Sequence, residues 1–199
     1  HITDLPYPAL ILVTKYLNAR DLLNLSIAFE SIYNEVKNSV KPVIYAEYTN
    51  MEDLPYQMQF YQTMLERFPR TELRLVMRFP NFMEYRWREE TAFIEGQLYF
   101  ARSVIQIFPD APIELTGAAG VRDEDPANEF LLRCITEGFP DVFIHIAETM
   151  SVEDLQTPWP HMGGRTLLNL ADGRRQFEIA HYIRGRIANN TAGRSIYVI

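Results

Sequence analysis

The chain has 199 residues, room for one domain of ordinary size or a small module plus a domain, and its hydrophobic share of 47% is that of a globular protein. A net charge of −7 argues against general nucleic-acid binding, which needs a basic face. The single cysteine, Cys134, leaves no internal disulfide and points to cytosol or nucleus, and no run approaches the ~20 apolar residues of a membrane span.

In chain order, the first informative stretch is LPYPALILVTKYLNARDLLNLSIAFESIYNEV, residues 5 to 36. Leu10, Val13, Tyr16 and Leu17 fall at the spacing of one helical face. Asp4-Leu5-Pro6 places a capping side chain and a proline where that helix can start. Asn18-Ala19-Arg20 breaks the face, and Asp21 can cap a second helix carrying Leu22, Leu23 and Leu25. Ile27, Phe29, Ile32, Tyr33 and Val36 form a third apolar set. Three helices in about forty residues are too small to hide so much apolar surface, so a partner is expected to cover it.

This stretch resembles an F-box. The family's leucine-proline, its aliphatic helix ending in tyrosine-leucine, and its aspartate-leucine-leucine with a further leucine fall without a gap on Leu5-Pro6, Leu10 to Val13, Tyr16-Leu17, Asp21-Leu22-Leu23 and Leu25. Pro8 departs from the usual glutamate. Phe29-Glu30-Ser31 departs from the usual cysteine or serine followed by a basic residue. The resemblance implies docking on the Skp adaptor, and through it on cullin, in an SCF (Skp–cullin–F-box) ubiquitin ligase. The implied adaptor-binding residues are Leu5, Pro6, Leu10, Val13, Leu17, Asp21, Leu22 and Leu25. A plain helical hairpin within a larger core is the alternative reading of the residues.

Residues 37 to 50 read as a connector, with Pro42 ending the third helix. A helix is expected from about Glu52 to Phe68, with Leu54, Met58, Tyr61 and Leu65 on one face and Pro69 as its stop. Glu72 to Phe79 reads equally as a short strand or a helix turn. In the strand reading it gives, with residues 113 to 116, one small β element in an otherwise mainly α chain; in the other reading the chain is helical throughout.

From residue 84 a loose repeat appears. Residues 91 to 108, 133 to 150 and 170 to 187 share a frame of helix, short break and second helix, with Gly96 matching Gly138. The last copy is similar to an ankyrin repeat. Gly164-Arg165-Thr166-Leu167-Leu168-Asn169-Leu170-Ala171 stands where that family has glycine-x-threonine-proline-leucine-histidine-x-alanine. Leu167, Asn169 and Arg175-Gln176 are departures from it. The expected organisation is an F-box over residues 1–45, a linker helix and connector over 46–83, and degenerate ankyrin-like helical repeats over 84–199, best at 164–187. A generic helical domain is the alternative.

No catalytic constellation, metal-ligand spacing or cofactor motif is visible. His1, His145, His161 and His181 are scattered, and Cys134 has no sequence neighbour to activate it. Residues 165 to 199 hold six arginines against Asp172 and Glu178, while 121 to 154 hold nine acids against two arginines. Neutralisation between neighbouring repeats is one reading. The other is a surface for an acidic or phosphorylated protein segment, with Trp159, His161, Arg165, Arg174 and Arg175 as its substrate-binding residues. A tryptophan buried under its loop is the competing view of Trp159.

The expected function is therefore a non-catalytic substrate receptor of a ubiquitin ligase, in cytoplasm or nucleus, with no cofactor. Two alternatives stay open: a Skp-binding assembly protein outside any ligase, and a microbial effector that borrows a host ligase. Lysine is confined to Lys15, Lys37 and Lys41. Residues 42 to 199 carry fifteen arginines and no lysine.

Overall fold

The computed structural model describes residues 6–79, 87–117, 126–159 and 163–194. Asp4, Leu5, His161 and the acidic run Asp123-Glu124-Asp125 lie outside them. The chain is mainly helical with a small three-stranded parallel sheet. It divides into two units, His1–Val76 with Ser103–Glu114, and Met77–Arg102 with Leu115–Ile199.

The first unit opens with three short helices, α1 (Tyr7–Lys15), α2 (Ala19–Ala28) and α3 (Glu30–Val36). Helix α1 starts at Pro6, which is its N-cap and offers no side-chain hydrogen bond, rather than at the expected Asp4. Helix α2 is capped by Asn18, whose Oδ1 accepts from the Asp21 backbone N–H at 2.8 Å. Asp21 stands in the first turn, where its charge suits the helix dipole. Leu10, Leu22, Leu23, Ile32 and Val36 are buried.

Residues 37–50 are not a plain connector, because they contain strand β1 (Val43–Glu47). Helix α4 (Leu54–Arg67) follows, then β2 (Glu72–Phe79), α5 (Trp87–Ile107) and β3 (Ile113–Gly117). Two β-helix-β crossovers thus build a sheet of order β1-β2-β3, and β1 runs parallel to β2 with Val43 opposite Glu72 and Ala46 opposite Leu75. Parallel strands are usually covered on both faces. Here burial alternates: Ile44, Ala46, Leu73 and Leu75 are buried while Val43 and Tyr45 are exposed. The register puts Glu72 and Arg74 beside those exposed residues. Arg74 pairs with Glu72 at 3.2 Å and Glu114 at 3.4 Å, and Lys41 pairs with Glu72. The Lys41 hydrogen bond, with its charge, holds the Glu72 carboxyl below the usual carboxylate range.

Helix α4 is tied to the N-terminal helices. Arg67 Nη1 donates to the Ser26 carbonyl at 3.1 Å and lies over the Tyr33 ring at 5.0 Å, and Tyr33 Oη donates to the Arg67 carbonyl at 3.0 Å. The Tyr33 ring also meets Phe68 edge-on at 5.8 Å. The helix read as a linker is therefore part of the same packed unit.

In the second unit, Gln97 is buried. Its side chain accepts from Arg78 N–H at 2.7 Å and donates to Arg78 O at 2.6 Å, which satisfies a strand residue beyond the reach of β1. The expected break at Gly96 is absent, and α5 runs unbroken for 21 residues. Two helix pairs do form as expected. The first is α6 (Pro126–Glu137) with α7 (Pro140–Ala147). The second, after the short α8 (Val152–Gln156), is α9 (Leu167–Gly173) with α10 (Phe177–Arg194). Helix α6 packs on α7 and α9, and α10 on α7, α8 and α9, so the pairs stack.

The two corners share one geometry. Gly138 has φ +80° and Arg175 φ +59°. In each corner an N–H reaches back five residues, Phe139 to Cys134 and Gln176 to Ala171, both at 2.8 Å. A Cβ on Gly138 would meet Gln176 Nε2 at 3.4 Å, so the corners are neighbours. A left-handed backbone is strained for any residue with a side chain. Gly138→Ala should therefore destabilise the unit by about 1 kcal/mol, and Arg175→Gly should stabilise it by up to about that amount. Urea titrations of both variants check the pair; a loss at Arg175→Gly would contradict the shared corner.

Candidate functional site

Of the adaptor-binding residues that the resemblance implies, Val13 is exposed, while other apolar side chains exposed on the N-terminal helices lie outside that set. Leu10 and Leu22 are each 2% exposed and belong to the helices' own core. Leu17 and Leu25 are half-buried, and Pro6 and Asp21 are exposed. Val13 is exposed, beside Leu12 (55%) and Tyr16 (83%), which lie one turn apart on α1. Ile27 (58%) and Phe29 are exposed at the end of α2. Leu12, Tyr16, Ile27 and Phe29 were legible as apolar but not as outward-facing. These five large apolar side chains all fall between residues 12 and 29, on α1, α2 and the residues that end them.

In the second unit, Trp159 and Arg165 form an isolated antiparallel bridge. Trp159 N–H donates to Arg165 O at 3.0 Å, and Gly164 N–H to Trp159 O at 3.0 Å, across left-handed Gly163 and Gly164. Thr166 then caps α9 in a reciprocal box with Asn169, each backbone N–H bonded to the other's side chain at 3.2 Å. Trp159 is buried, so its ring belongs to the core and is not a free contact. His161 lies outside the described residues.

Comparison of the chain with protein-family models, curated proteins and solved structures finds no match.

Arg165, Arg174 and Arg175 are exposed, and their side chains make no hydrogen bond or ion pair among the described residues. Phe177, at the start of α10 and two residues past Arg175, is 74% exposed. Arg184 holds both carboxylate oxygens of Asp172 at 2.7 Å. Arg186 is half-buried and structural: it donates to Ala147 O, Met150 O and Tyr182 Oη.

Cys134 is fully buried, and that burial pushes its thiol far above the ordinary thiol range, away from the thiolate that nucleophilic chemistry needs. No three acidic, histidine or cysteine side chains gather to hold a metal among the described residues. His145 sits half-buried on α7. No helix among the described residues is long and apolar enough to cross a membrane.

Proposed function

We propose that this chain is the substrate-recognition subunit of an SCF-type ubiquitin ligase. In this reading helices α1–α3 dock on the Skp adaptor, and the stacked helix pairs hold the target. The observation that carries it is the exposed apolar set Leu12, Val13, Tyr16, Ile27 and Phe29 on a three-helix module with an ungapped F-box-like pattern. Desolvating such side chains is the main driving force of association. The chain itself supplies no chemistry; it brings a target's amine near a conjugating enzyme, and partners perform the transfer. The exposed Arg165, Arg174 and Arg175 with Phe177 suit an acidic or phosphorylated segment that also carries an apolar side chain.

Co-expression with a Skp adaptor and a cullin tests both halves. The expected result is a soluble complex that retains all three proteins through gel filtration. A complex with adaptor but no cullin would support the assembly-protein alternative instead, and no adaptor binding would end the F-box reading. For the second half, Arg174→Glu with Arg175→Glu should weaken capture of acidic targets and leave adaptor binding intact. The difference should shrink as salt is raised, because exposed charges are screened beyond about 10 Å at 0.1 M.

A further inference from the structure

The chain's basic residues are sorted by position. Three of the first four are lysine, and the fifteen that follow are all arginine. A genome-wide preference for arginine would act on the first 41 residues as well, yet there lysine outnumbers arginine three to one.

The fold explains some of these arginines. Arg102 places Nε and Nη2 on both oxygens of Asp141 (2.9–3.2 Å), adds the Gly138 carbonyl at 3.2 Å, and lies over the Phe139 ring at 4.3 Å. Arg67 and Arg186 likewise use several N–H groups or a ring face. A lysine ammonium, a point charge on a flexible stem, cannot reproduce these contacts. Arg165, Arg174 and Arg175 are different: exposed, with no side-chain partner among the described residues. Arg184 reaches Asp172 through one nitrogen, which an ammonium could replace. Among the described residues, no side-chain contact favours arginine over lysine at these four positions.

We propose that residues 42–199 exclude lysine so that this part of the receptor escapes modification by its own ligase, and that within residues 1–199 self-modification falls on Lys15, Lys37 and Lys41. The proposal rests on the ligase-receptor reading. Ubiquitin transfer needs a neutral amine. Its lone pair attacks the thioester carbonyl joining ubiquitin to the conjugating enzyme's cysteine; the C–N bond forms, the C–S bond breaks, and the sulfur leaves as a thiolate while a base takes the amine proton. A guanidinium stays protonated above pH 12 and its electron pair is delocalised, so it keeps the charge without offering a nucleophile. The restriction matters because a receptor held in the complex presents its own amines at an effective concentration near the millimolar range, in competition with the target's. Two of the three remaining amines are already engaged. Lys37 donates to Asn34 Oδ1 at 3.1 Å and lies over the Tyr33 ring, and Lys41 pairs with Glu72.

The test is a reconstituted ubiquitination of the full chain assembled with adaptor and cullin. Arg165→Lys, Arg174→Lys, Arg175→Lys and Arg184→Lys are introduced singly and together. These changes conserve charge and remove no structural contact that an ammonium cannot restore, so thermal unfolding should match the parent. The quadruple variant should be modified at least about fivefold faster than the parent. Mass spectrometry should place the new ubiquitin on the introduced lysines, and the parent's only on Lys15, Lys37 and Lys41. An assembled complex that modifies the quadruple variant no faster than the parent overturns the inference and leaves the receptor reading standing. Gel filtration of the same samples separates the two failures, because a chain that does not assemble with cullin overturns the receptor reading and this inference with it.

Discussion

Phe143→Ala should cost the second unit about 3–5 kcal/mol. Phe143 is fully buried on α7, and its ring meets Tyr182 of α10 edge-on at 6.5 Å. It therefore fills space between the two helix pairs and contributes an aromatic contact worth about 0.5–1.5 kcal/mol beyond its burial. The pairs α6–α7 and α9–α10 are stacked neighbours, so a cavity at their junction weakens both. Against a total stability of about 5–15 kcal/mol, the loss is a large fraction. Thermal unfolding followed by circular dichroism should show a midpoint lower by at least about 10 °C. Phe177→Ala is the control. Its ring is mostly in solvent, and its removal should stay within about 0.5 kcal/mol. Equal losses at the two positions would mean that α10 presents a different face to α7 than described.

What the residues disclosed in advance was local. Three helices over residues 7–36 were legible because leucine spacing and a polar break at Asn18 act within one or two turns. The exchange of roles, with Asn18 as cap and Asp21 in the first turn, was not, because both residue types suit either position. Strand β1 was missed for the opposite reason. Five residues carry little periodicity, and the pairing that makes them a strand comes from Glu72 onward, with a whole helix between. Residues 72–79 read equally as strand or helix turn because eight residues with mixed spacing fit either period, and the pairing with β1 that decides for a strand is non-local. Gly96 and Gly138 are the same residue type in the same frame, yet one lies within a helix and the other ends one. A buried helix position tolerates glycine, and only packing separates the two cases. Arg175 adopts the corner that Gly138 adopts, with a side chain that gives no sign of it. At the candidate site, apolar spacing showed how many anchors there were but not which of them the helices bury themselves. That division is set by where α3 packs against α1 and α2, a tertiary choice.

That division makes the decisive test of the docking surface a choice of residues. Leu12→Asp, Tyr16→Asp and Ile27→Asp, combined, should leave the chain folded and abolish adaptor binding. All three side chains are mostly exposed, so each change should move the stability of the isolated chain by no more than about 0.5 kcal/mol. In a complex each would place a carboxylate into a desolvated contact, at about 2 kcal/mol or more per site. Even with imperfect additivity the Kd should rise roughly 10⁴-fold, beyond detection in a co-purification experiment. Leu22→Asp is the instructive contrast. It puts a charge into the helices' own core and should unfold α1–α3, so its loss of binding would say nothing about the surface. Two measurements on the triple variant are therefore needed, an unfolding curve and adaptor capture. Parent-like unfolding with lost capture assigns Leu12, Tyr16 and Ile27 to the interface. Parent-like unfolding with undiminished capture removes the docking role from this face, because no partner could cover three carboxylates there without a measurable loss.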